Sequence, residues 1–110
     1  MSVQHKELAS GRWETLSFAE QMAHIGGEVE RALNWRAKQN QDYSQKAFER
    51  ALELLDLSLD TVKGFPRLKE LARTRETLVD YFFGENQYGS HDKGLRSYFL
   101  HFAAAVRLKT

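Results

Sequence analysis

Two side chains near the C-terminal end of the sequence have the chemistry to act on a phosphodiester: Arg96 and His101, spaced R-x4-H. A guanidinium can stabilise charge that develops on phosphate oxygens, and an imidazole can take and return a proton near neutral pH. Five residues rotate an ideal helix by about 140°, so the two side chains of one chain diverge and a shared site needs two protomers. A second set, Glu49, Glu53, Asp56 and Asp60, repeats at steps of four, three and four. That spacing lines four carboxylates along one helix face, where hard oxygen ligands can meet a divalent cation if an opposing helix completes the shell.

The carboxylate set is incomplete as a metal site. The E-x-x-E plus E-x-x-D pattern of all-α nucleotide pyrophosphatases is only half matched: Glu53-Leu-Leu-Asp56 resembles the second element, and the chain contains no E-x-x-E. The acidic stripe also falls opposite the leucines of its own helix, which predicts a solvated face, at most paired with Arg67, Lys69 and Arg73 of the following helix. His24 stands between Glu20 and Glu28 at helical spacing, without the E-x-x-H pattern of di-iron bundles. No metal and no cofactor are expected. The same face continues through Arg31 to Trp35, and an indole among surface charges has to be covered by something. Either the N-terminal arm covers it through Trp13, or it serves a partner, with His24, Glu28, Arg31 and Trp35 forming an interface in a homodimer.

The elements that position these residues are helices. Ser17-Phe-Ala-Glu20 reads as a capping box, and Phe18, Met22, Ile25, Val29, Ala32 and Leu33 follow on one face, predicting a helix over 17–38. Gly26-Gly27 in its middle implies a close helix contact or a bend. A second helix over 42–61, starting near Asp42, buries Phe48, Ala51, Leu52, Leu55 and Leu59 and should be the most buried. A third over 66–83 starts at Pro66 and points Leu68, Leu71, Leu78, Val79 and Phe82 inward, with the stem of Arg75 along the core edge. The fourth, over 91–108, takes Ser90 as its cap and carries Leu95, Tyr98, Phe99, Phe102 and Val106, with Arg107 and Lys109 at its C-terminal end. Residues 1–16 form an N-terminal arm.

The whole chain is 110 residues with a formal charge of +1, one proline and no cysteine. That length fits one domain, and short connectors between four helices predict an all-α, antiparallel up-down-up-down four-helix bundle. Without cysteine there is no disulfide, thiolate metal site or cysteine nucleophile. A near-neutral charge, and basic residues interrupted by acids on the third helix, argue against sequence-specific DNA binding. No apolar run is long enough to span a membrane, and the first residues lack the apolar core of a secretory signal, so a cytoplasmic protein is expected. Walker, G-x-G-x-x-G, G-x-S-x-G and H-E-x-x-H motifs are all absent.

The segment Arg96-Ser-Tyr-Phe-Leu-His101, in the last helix of a small all-α chain, resembles the motif of the HEPN superfamily. The resemblance implies a four-helix fold that dimerises and a metal-independent ribonuclease centre. In that centre His101 would be the general acid/base and Arg96 would stabilise phosphate charge, with RNA as substrate. Ser97 departs from the Asn, Asp or His that often follows the arginine in that family. The stretches Arg12 to Met22 and Asn86 to Ser90 are similar to small prokaryotic helical proteins of unknown function, which adds no activity. The leading expectation is a non-enzymatic helical interaction or adaptor protein acting as a homodimer; the alternative is the HEPN-like, toxin-type ribonuclease.

Overall fold

A computed structural model describes residues 11–108. It is all-α: a short 3-10 turn, Arg12–Thr15, precedes four helices, α1 Phe18–Ala37, α2 Gln41–Thr61, α3 Phe65–Phe82 and α4 Asp92–Leu108, with no strand among the described residues. Residues 1–10 of the arm, together with Lys109, lie outside the described residues.

Local chemistry sets the helix ends. Ser17 and Glu20 form a full capping box: the Glu20 amide donates to Ser17 Oγ at 3.1 Å, and the Ser17 amide donates to Glu20 Oε1 at 2.9 Å. Helix α2 begins earlier than Asp42, because Asn40 is the cap and its Oδ1 accepts from the Tyr43 amide. Gly64, at φ 92°, turns the chain into α3, where Pro66 needs no amide partner in the first turn. Ser90 does not cap α4. Its amide is taken by Asn86 Oδ1, and His91 caps instead, Nδ1 accepting from the Gly94 amide at 3.0 Å.

The helices bury one continuous apolar cluster drawn from all four and from the 3-10 turn. Close backbone approach is concentrated between α1 and α2 and between α1 and α4, with less between α2 and α3; α3 and α4 are not among the closely packed pairs. Helix α2 holds more buried positions than any other. On α3, Leu68 is exposed rather than inward, and Thr74 takes a buried place between Leu71 and Leu78.

Trp13 is the arm's contribution to the core, at 1% exposure. Its Nε1 donates to Ser58 Oγ at 2.9 Å, Ser58 donates to Gln21 Oε1 at 2.8 Å, and Gln21 Nε2 donates back to the Trp13 carbonyl at 3.0 Å. This closed ring joins the 3-10 turn, α1 and α2 with buried donors and acceptors satisfied in turn. Gly26 explains the α1–α4 approach: a Cβ there would lie 2.6 Å from Phe99 Cβ, whereas one at Gly27 would meet nothing within 4 Å.

Two outcomes follow. Ser58→Ala strands the Trp13 indole N–H and the Gln21 carbonyl, and should cost about 1–3 kcal/mol in urea unfolding; an unchanged midpoint would remove the ring's structural role. Gly26→Ala should destabilise by about 1–3 kcal/mol through overpacking against Phe99. Gly27→Ala should instead stabilise by up to about 1 kcal/mol through helix propensity, and thermal melts of the pair read the opposite signs.

Candidate functional site

Arg96 is half-buried and turned toward α1. Its Nε donates to both Glu30 oxygens at 3.1 and 3.0 Å, and a terminal nitrogen donates to Asn34 Oδ1 at 2.9 Å. Both partners of the ion pair are over a third exposed, so water screens it and it contributes less than about 1 kcal/mol. His101 is exposed on α4. Within the chain Arg96 is thus engaged by α1, while His101 is exposed.

The acidic stripe is not uniformly solvated. Glu49 and Asp60 are exposed, and Glu49 accepts from Gln45. Glu53 is 8% exposed, which corrects the expectation for that position; a buried carboxylate requires a compensating partner, and Glu53 has an interaction of its own. Asp56 pairs at 3.0 Å with Arg75, not with Arg67, Lys69 or Arg73. Arg75 is partly exposed, and its Nε donates across to Asp56 of α2. Among the described residues no three His, Asp or Glu side chains converge to hold a metal.

On the α1 face, Glu28 is buried at 6% rather than outward. Its two oxygens take separate cations, Arg31 at 2.8 Å and Arg50 of α2 at 3.0 Å, which is what lets the carboxylate be buried. His24 and Arg31 are exposed, and the His24 ring lies 5.8 Å from Trp13. Trp35 is half-buried and is not covered by Trp13, which is committed to Ser58. It meets the Tyr43 ring edge-to-face at 4.9 Å, with the Lys38 ammonium 5.2 Å from its own ring centre. The Lys46 ammonium lies 5.7 Å from the Tyr43 ring centre. Each cation gains from the negative ring face.

A different arrangement escaped the sequence reading. Between α3 and α4 lies a cavity of about 330 Å³, floored by Leu78, Leu95 and Phe99. At its edge the Tyr98 hydroxyl lies 2.9 Å from Glu70 Oε2 and 2.9 Å from Thr74 Oγ1. With its one proton given to Glu70, Tyr98 accepts from Thr74. Burial, more than the Glu70 carboxylate, pushes the Tyr98 phenol well above the usual tyrosine range, although the Thr74 bond works the other way. Further along, Tyr81 donates to Asp92, and its pKa is raised first by burial and then by that bond. The signal was present in Thr74, a polar residue inside the apolar stripe of α3, and in Tyr98, whose hydroxyl needs a partner when its ring is buried.

Comparison of the chain with family models, with curated proteins and with solved structures gives no match.

Raised tyrosine pKa values carry a sign for stability. Tyr81 and Tyr98 hold their protons more tightly folded than unfolded, so their contribution is complete below about pH 10 and is lost as pH rises above it. Stability should therefore fall above about pH 10, and less steeply in Tyr98→Phe. Equal slopes for the two proteins in urea unfolding against pH would contradict the assignment.

Proposed function

We propose that this chain is a non-enzymatic helical interaction protein that works as a homodimer, with its four helices running alternately up and down in one cytoplasmic domain. The observation that carries the reading is the Trp35–Tyr43 pair at the turn between α1 and α2. Two aromatic rings are held edge-to-face by each other, with Tyr43 49% exposed. Pre-ordered aromatic rings give contact area at little cost in side-chain entropy, and Trp and Tyr dominate the energetics of protein interfaces. The exposed side of α2 next to them carries Asp42, Lys46 and Glu49, one helical turn apart. An alternation of sign is self-complementary, since a two-fold axis can set the lysine of one protomer against the carboxylates of the other. His24 and Arg31 extend the same surface along α1, while Glu28 supports it from beneath through Arg31 and Arg50. Short connectors and the packing of α1 on both α2 and α4 support the up-down order. No helix among the described residues is long and apolar enough to cross a membrane.

The second reading is the HEPN-like ribonuclease, supported by the exposed imidazole of His101 and by the weak, solvent-screened tether of Arg96 to Glu30, which a phosphate could displace. It too needs a dimer, because Arg96 is held toward α1.

Light scattering of the wild type should give a dimer mass, and Trp35→Asp should shift it to the monomer with helical circular dichroism retained. A monomer in the wild type, or an undiminished dimer in Trp35→Asp and Tyr43→Asp, would overturn the interaction reading. RNA incubated in EDTA separates the two readings: cleavage by the wild type that disappears in His101→Ala would replace the interaction protein with the ribonuclease.

A further inference from the structure

Helices α3 and α4 leave a gap in the packing. They are not among the helix pairs in close backbone contact, and the cavity of about 330 Å³ occupies the space between them. Its floor is apolar, made by Leu78, Leu95 and Phe99, and its wall is polar, made by Tyr98 and Thr74. Pockets that bind small molecules share this composition, an apolar body with a few convergent polar groups, and range from about 300 to 1,000 Å³. The volume here is at the small end. It suits a single ring or a branched alkyl group.

The charges at the mouth define the ligand further. Glu70 and Arg73 both line the cavity and are three residues apart on α3, so they are neighbours on one helix face. They do not pair. The Glu70 carboxylate is held by the Tyr98 hydroxyl, and the Arg73 guanidinium has no ion pair or side-chain hydrogen bond among the described residues. Arg73 also borders an adjoining depression of about 560 Å³ whose lining carries Lys69 and Glu76. An anion and a cation held apart at the rim of one apolar cavity match a ligand that carries both opposite charges next to one apolar group.

The geometry points to a binding site for a small zwitterion of the α-amino-acid class with an aromatic or branched apolar side chain. The side chain enters between Leu78, Leu95 and Phe99. The ammonium group meets Glu70, and the carboxylate meets Arg73 through charge-assisted hydrogen bonds. Tyr98 is a positioning residue, fixing the Glu70 carboxylate while its own raised pKa keeps it a neutral donor. Filling the cavity adds contacts to both α3 and α4 beside the bridges that already join them, so binding stabilises the fold by mass action. This site is independent of the Trp35 surface.

L-phenylalanine is the probe, titrated into the full chain and followed by amide chemical shifts and thermal melting. Saturable shifts confined to α3 and α4, with a rise in melting temperature, are expected. Phenylacetate, which lacks the ammonium group, and phenethylamine, which lacks the carboxylate, should each bind at least about tenfold more weakly. Arg73→Gln and Glu70→Gln, at positions that are at least partly exposed, should fold normally and each weaken L-phenylalanine by a similar factor. Absence of saturable shifts up to about 10 mM, well above a weak-ligand Kd of about 1 mM, would overturn the site. Equal binding of all three probes, or shifts unchanged in both variants, would overturn the zwitterion assignment.

Discussion

An indole buried at the start of the described chain has one N–H to satisfy, and the way this protein satisfies it ties its first three elements together. Trp13 gives that hydrogen to Ser58, Ser58 gives its own to Gln21, and Gln21 returns one to the Trp13 carbonyl. Each bond is modest once exchange with water is counted, but an unmade one in the interior is expensive, so the three residues constrain one another. The 3-10 turn is thereby pinned to α2 across 45 positions of sequence. Burial of the ring also removes Trp13 as a cover for Trp35, which is left to pair with Tyr43. The surface proposed for self-association exists because the other tryptophan is used elsewhere.

A second constraint comes from side-chain size at the helix crossings. Gly26 lets α4 press Phe99 against α1, and the small residues Ala32 and Ala47, both fully buried, together with the Ser44 hydroxyl bonded to the Ala32 carbonyl, let α1 and α2 approach closely. Among the described residues α3 and α4 are not a closely approaching pair. There Thr74, Tyr98 and Glu70 hold a hydrogen-bonded bridge across the gap, and Tyr81 and Asp92 hold another. Apolar packing that stops short of polar bridges leaves a cavity between them, and that cavity carries the proposed ligand site.

Much of this fold was legible in the chain itself. The apolar spacing of Met22, Ile25, Val29 and Leu33, the Ser17–Glu20 box and the break at Gly64-Phe65-Pro66 are local, short-range signals, and the helices begin and end close to them. The structure differs where a cap or a partner lies among near neighbours: Asn40 rather than Asp42, His91 rather than Ser90, and Arg75 rather than Arg67, Lys69 or Arg73 against the acidic stripe. Burial of Glu28 was out of reach for the same reason. Periodicity ranks faces of one helix by the residues they carry, and it cannot see a cation brought from a neighbouring helix.

The sequence by itself determined an all-α chain of four helices and the apolar stripe that each of the first two presents, because helix formation and amphipathic burial are set by residues within a few turns of one another. Tertiary structure alone decided which polar groups meet. The Trp13–Ser58–Gln21 ring, the Arg50 cation on Glu28, the tether of Arg96 to Glu30 and the Tyr98 bridge each join residues far apart in the chain. Such pairings depend on the distance and rotation between packed helices, quantities that emerge only when the whole core is filled.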